Sequence, residues 1–248
     1  MYGYGYRYNS GLVVGAGGGA PFLNTYSLDF DGQDAYVDCG VISTLQSASE
    51  FTMSCWLNSS NITIRQGVLK WYFSAAYWLE LSITPTSELQ MVIANGALAT
   101  RGVSASSIVL SDTWYNVVII YNGSGATNAD RLKIYLNGTD LSLTFTGTIP
   151  TNTSTLNGST FRIGQRFVAS DYFLGNIDEV SIFDYAISIG EVWDGSGIPS
   201  DLANLNPISW WRMGDGDTYP TITDNGSGGN NGTMTNMTAG SIVSDVPL

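Results

Sequence analysis

From Tyr26 to about Tyr185 the chain alternates apolar and polar residues in short runs, and each run ends in a cluster of Gly, Asn, Asp or Ser. A period of two is that of a β-strand with one buried face; a helix would repeat its apolar residues every three or four. Such runs cover Tyr26–Phe30, Ala35–Cys39, Phe51–Leu57, Gly67–Phe73, Tyr77–Ile83, Leu89–Ala94, Trp114–Tyr121, Leu132–Leu136, Leu141–Phe145, Phe161–Ile163 and Phe173–Phe183. Asn137-Gly138 falls between two of them and suits a tight hairpin turn with positive φ. One short helix is expected, with Ser188 as its cap and Glu191 three residues on. Many short strands and one helix predict an all-β fold, a two-sheet antiparallel jelly-roll sandwich. Cys39 and Cys55 alternate with Val37 and Met53, so both thiols are expected to face inward as small buried hydrophobes.

Two stretches stand apart. Residues 1–25 are a Tyr/Gly-rich arm in which Tyr2, Tyr4, Tyr6 and Tyr8 would share one side if the chain were extended. Its apolar run, Gly11–Ala20, is short and loosened by glycine, so a cleaved secretion signal is not expected. Beyond Pro207 the composition turns to Gly, Asp and Asn, yet no sharp linker precedes it. Residues 26–248 are therefore expected to form one domain, with 207–248 supplying strands to it.

Composition removes several chemistries. The 248 residues include no histidine, which excludes Ser-His-Asp and Cys-His catalysis and every His-ligated metal site. Two cysteines cannot build a thiolate zinc cage. Nine basic against 21 acidic residues leave a net charge of −12, which repels phosphate backbones and anionic membranes, so neither nucleic acid nor membrane insertion is expected.

Several segments, taken in order, resemble one pattern. Tyr26–Val37 is similar to the opening strand pair of laminin-G-like jelly rolls of the concanavalin A-like lectin and glucanase superfamily. Phe51–Trp56, Trp114–Val118, Leu132–Gly138, Arg162–Gly164 and Leu174–Phe183 follow in family order, and Ala186–Val192 resembles the closing short helix. Asn116 stands where the family usually has His. Trp210–Gly216 and Asp224–Thr233 resemble the strand and turn that normally open the module, but here they come last, as in a permuted order. The resemblance implies the sandwich fold; since the superfamily holds glycosidases, lectins and structural modules, it does not imply one function.

Three chemistries bear on such a chain. Glycoside hydrolysis needs two carboxyls flanking a cleft. The family's Glu-x-Asp-x-Glu strand is missing, and adjacent Asp178 and Glu179 should point to opposite faces of a strand, so no enzyme is expected. Calcium, which the family often carries, would be a structural ion held by oxygens from Asp178, Asp215, Asp217, Asp224, Asn225 and Asn230; alternatively these side chains bond their own turns. Carbohydrate binding would use exposed aromatic rings, and Trp71, Tyr72, Tyr77 and Trp78 are the candidates, with Trp71 and Phe73 on one face and Tyr72 on the other. The competing account makes one of those faces core.

The chain also resembles phage structural proteins in which such a roll ends in Trp-Trp-Arg-Met-Gly-Asp, here Trp210–Asp215. That resemblance implies a virion localisation, as a capsid decoration or fibre subunit. Its partners would be other virion proteins and further copies of itself in a homo-oligomer, gripped through the tyrosine arm, and host surface glycans. The alternative is a calcium-dependent, lectin-like carbohydrate-binding module of a secreted or cell-surface protein.

Overall fold

The computed structural model describes residues 22–96, 99–155, 158–166 and 171–248. Tyr2, Tyr4, Tyr6 and Tyr8 lie outside the described residues. The chain runs through β1 (Ser27–Asp31), β2 (Tyr36–Val41), β3 (Glu50–Ser59), β4 (Gln66–Ser74), β5 (Tyr77–Ile83), β6 (Leu89–Asn95), β7 (Ala99–Val103) and β8 (Trp114–Asn122). Then follow α1 (Asn128–Arg131), β9 (Leu132–Leu136), β10 (Thr139–Asp140), β11 (Thr144–Thr146), β12 (Thr160–Ile163), β13 (Leu174–Phe183), α2 (Ile189–Val192), β14 (Ser209–Trp211), β15 (Thr221–Ile222), β16 (Gly232–Thr235) and β17 (Ile242–Val243).

These strands make two antiparallel sheets. Among the described residues the first has eight strands in the order β10-β9-β8-β3-β13-β1-β17, with β14 also paired to β13. The second has nine, in the order β11-β7-β6-β5-β4-β12-β2-β16-β15. Alternate residues fill the space between them: Phe51, Met53, Cys55 and Leu57 from one sheet meet Leu69, Trp71, Phe161 and Ile163 from the other. Phe161 stacks on Trp211 across that space, with ring centroids 5.6 Å apart. Both cysteines are free and buried there, and burial pushes the Cys55 thiol up to about 12. Residues after Pro207 pair into both sheets: β14 with β13, β17 with β1, β16 with β2.

Asn137 and Gly138 both have positive φ, 47° and 73°, and close the β9–β10 hairpin. Three expectations need correction. Leu141–Phe145 is not one strand, because the chain crosses there from the first sheet (β10) to the second (β11). β7 was not legible, since Ala99-Thr-Arg-Gly-Val103 carries little apolar alternation; its pairing with β6 makes it a strand. A second helix, α1, exists as one turn held by a reciprocal cap between Thr127 and Asp130.

Candidate functional site

The two sheets differ on the faces turned away from the shared core. The outer face of the first is roofed by Phe183, Ile187, Val192, Leu202 and Trp210, packed on Val118. The outer face of the second carries a cross-strand row set by register: Thr233 on β16 pairs with Asp38, Asp38 with Arg162, Arg162 with Lys70, Lys70 with Glu80, Glu80 with Val92, and Val92 with Arg101. Period-two geometry places all seven on one face.

Gln165, just past β12, joins the middle of this row. Its Oε1 accepts from Lys70 Nζ at 2.8 Å and from Arg162 Nη1 at 2.9 Å, and its Nε2 donates to the Tyr172 hydroxyl at 3.1 Å. Arg162 Nε donates to Asp38 at 3.0 Å. Arg166 bridges Glu80 at 2.8 Å and Asp171 at 2.7 Å. Gly67 allows this arrangement, because a Cβ there would stand 2.1 Å from the Arg166 backbone nitrogen. Three tyrosines border the polar centre. The Arg162 guanidinium lies 4.6 Å from the Tyr36 ring centroid, and Lys70 Nζ lies 5.5 Å from that of Tyr72. Tyr172 is held by Gln165. All three rings are half-buried.

Lys70 is 5% exposed, yet among the described residues no carboxylate lies within ion-pair distance of it. Burial, and then the Arg162 charge beside it, bring its ammonium down to about 8.

The aromatic candidates divide. Tyr72 and Trp78 occupy this outer face, paired across β4 and β5 and packed with Val92 and Ala94. Tyr77 sits half-buried at the start of β5. Trp71 does not belong with them: it is 1% exposed and part of the core. Phe73 is exposed, because a bulge between Tyr72 and Ser74 breaks the expected pairing of Trp71 and Phe73 on one face. Arg162, Lys70, Gln165, Tyr36 and Tyr172 escaped sequence reasoning. They come from four distant segments, and only their register unites them.

The calcium candidates do not assemble. Asp224 accepts from the backbone N–H groups of Trp210 and Gly226 at 2.8 Å and of Asn230 at 2.7 Å. Asp217 accepts from Gly214 at 2.9 Å and Thr223 at 2.7 Å. Asn225 donates to backbone carbonyls, and Asn230 donates to Ser209. Asp215 accepts from the Thr25 N–H at 2.9 Å and from Arg212 at 3.4 Å. Each is spent on its own loop or neighbour, and among the described residues no three acidic or thiol groups are placed to share an ion. The six residues do not fit a common calcium site.

Asp178 and Glu179 need a second correction. Asp178 pairs with Trp56, and a bulge follows in which Glu179 and Val180 stand against Cys55 alone, with Glu179 at φ 47°, so both carboxyls leave the core side together. They are 0% and 2% exposed. Asp178 accepts from Asn24 at 2.8 Å; Glu179 accepts from Trp210 Nε1 at 2.5 Å and Arg212 Nε at 3.0 Å. Phe22 stacks on Trp210 and lies under the Arg212 guanidinium. The end of the N-terminal arm, from Phe22, is thus docked on the sandwich. Burial raises both carboxyls, Glu179 to about 7, against the pull of Arg212. The pair is sealed rather than set in a cleft.

A separate concavity of about 550 Å³ lies at the edge formed by α1, β9, β10 and the crossing to β11. It offers Phe145, three leucines and a Lys133–Asp140 ion pair at 3.5 Å. It has one aromatic ring where the outer face of the second sheet has Tyr36, Tyr72, Trp78 and Tyr172.

Comparison with known proteins settles the family. The family model described as "Concanavalin A-like lectin/glucanases superfamily" matches residues 31–192, well over half of the chain. The chain belongs to that superfamily. Among solved structures, a Bacteroides ovatus protein provisionally described as carbohydrate binding is 17% identical, with a TM-score of 0.63; the alignment covers 92% of this chain and 62% of that one. This chain thus spans less than two thirds of that protein. The CBM40 of a Ruminococcus gnavus IT-sialidase, bound to α2,3 sialyllactose, is 12% identical with a TM-score of 0.50, covering 65% of this chain and 91% of that one. At such identities the likeness shows the fold alone. The sequence matches no curated protein.

Proposed function

We propose that this protein is a non-catalytic carbohydrate-binding module whose site is the outer face of the nine-stranded sheet. The observation that carries this reading is the border of three half-buried tyrosines, Tyr36, Tyr72 and Tyr172, around the fixed polar centre of Gln165, Arg162 and Lys70. A sugar ring has an apolar face for an aromatic platform and a polar rim for amides and cations, so both halves of such a site are present. The two similar structures support the reading, since one is described as carbohydrate binding and the other is held with a sialylated sugar.

The test is a glycan array followed by calorimetry on the strongest ligand. Wild type should bind, and Tyr36→Ala and Tyr172→Ala should each weaken binding. Equal affinity in both variants would remove this face, and the edge concavity at Phe145 would become the next candidate.

The virion reading is compatible with a sugar-binding face and depends on the arm. It predicts an oligomer, or attachment to larger particles, that is lost when residues 1–21 are deleted. The deletion stops there because Phe22 and Asn24 are part of the sandwich. Light scattering of both chains decides it; an unchanged monomer would end it.

A further inference from the structure

Charge on this protein is unevenly placed. The whole chain has nine basic residues and a net charge of −12. Five of those nine, Arg65, Lys70, Arg101, Arg162 and Arg166, gather on or beside the outer face of the nine-stranded sheet. Lys70, Arg101 and Arg162 stand in the cross-strand row. Arg166 pairs with Glu80 of that row. Arg65, just ahead of β4, is close enough to Arg166, Glu80 and Asp171 to feel their charges. The carboxylates of the cluster are Asp38, Glu80 and Asp171, and these pair with Arg162 and Arg166.

Three cations are then left over. Among the described residues, Arg65, Lys70 and Arg101 have no carboxylate at ion-pair distance. Lys70 is buried with Glu80 and Asp38 nearby but neither at ion-pair distance, and its ammonium donates to Gln165 and to the Arg166 carbonyl, so its charge is only partly offset. Arg65 adds a buried Nη1 with no hydrogen-bond partner among the described residues. Arg162 uses Nε on Asp38 and Nη1 on Gln165, which leaves Nη2 on a side chain that is 28% exposed. A planar guanidinium with a free edge, backed by a buried ammonium, suits a carboxylate.

We infer that the saccharide taken by this face carries a carboxylate, gripped by Arg162 and drawn in by the positive charge of Lys70 behind it. This inference rests on the carbohydrate reading above and narrows it to acidic sugars. Tyr36 and Tyr172 would hold the ring, and the cations would choose its charge.

The experiment is calorimetric titration of the full chain with matched pairs: 3′-sialyllactose against lactose, and trigalacturonate against a neutral trisaccharide of galactose. The two acidic probes separate a sialic acid from a uronic acid as the source of the carboxylate. At least one acidic member should bind about tenfold or more tightly than its neutral partner, since a charge-assisted hydrogen bond contributes roughly 1.5–3 kcal/mol. Arg162→Gln should erase that difference, and added salt should weaken the acidic probe selectively. Equal binding of acidic and neutral members would overturn the inference and leave the carbohydrate reading standing. If none of the four binds and the glycan array is blank as well, both fall. Lys70→Met, checked for folding by its melting curve, should reduce the preference; an unchanged preference in both variants would also overturn the assignment.

Discussion

The outer faces of the two sheets solve the same problem in opposite ways. The eight-stranded sheet is covered by its own chain: Phe22, Phe183, Ile187, Val192, Leu202 and Trp210 form a second apolar layer, and even the carboxyls of Asp178 and Glu179 are sealed beneath it. The nine-stranded sheet instead turns outward a row of charges bordered by tyrosines, with a buried ammonium that has no carboxylate at ion-pair distance among the described residues. One face is finished by folding. The other keeps a partly exposed guanidinium, Arg162, whose Nη2 is not used by Asp38 or Gln165, which is the property expected of a binding surface.

This contrast can be broken most easily by truncating one large side chain on each face. Trp210→Ala should cost about 3–5 kcal/mol of unfolding free energy, because it opens the roof and takes a donor from Glu179. Tyr36→Ala should cost less than about 1 kcal/mol in stability. Denaturant titration of both variants checks the pair, and similar losses would contradict the division.

The second prediction concerns the sealed carboxyls. An acid whose folded-state pKa is raised contributes stability fully below its unfolded pKa, and that stability is lost as pH rises through the folded value. Glu179 moves from an ordinary 4.5 to about 7, so the protein should gain thermal stability as pH falls from about 7 toward 4.5. Asp178 shifts in the same direction. Glu179→Gln should flatten that slope in melting curves. A wild-type melting temperature that falls across the same window would refute the account.

On the open face the effects are on binding. Tyr36→Ala or Tyr172→Ala should lose about 1–1.5 kcal/mol of affinity, roughly tenfold, for whichever saccharide the array identifies. The smallest effect is a pH dependence. Lys70 faces Arg162, Glu80, Asp38 and the Tyr72 ring, and its ammonium loses its proton near pH 8. Affinity for an acidic saccharide should decline as pH passes through about 8, and Lys70→Met should remove the decline. Neutral saccharides should show no such step.

The sealed and open faces also show how far local signals reach. Alternation identified Tyr77–Ile83 and Leu132–Leu136 to the residue, because the face of each strand that packs into the core is apolar and leaves a period of two in the sequence itself. The inward thiols of Cys39 and Cys55 followed from the same parity. The same rule failed at Asp178-Glu179, where one extra residue in a bulge resets parity, and at Phe73, where another bulge exposes a ring assigned to the face of Trp71. Trp71 and Tyr72 are neighbours with opposite fates. Alternation says that one is buried, and only packing against Phe161 and the other sheet says which.

The sequence by itself determined the class of fold, the inward residues of most strands, the Asn137-Gly138 hairpin and the absence of histidine chemistry, because each depends on neighbours a few positions away. Tertiary structure alone decided the site. Asp38, Lys70, Glu80, Arg101, Arg162 and Gln165 lie far apart along the chain, and no local pattern links them. They meet because strand register, a long-range property fixed by packing the core between two sheets, sets them side by side on the face that the core does not use.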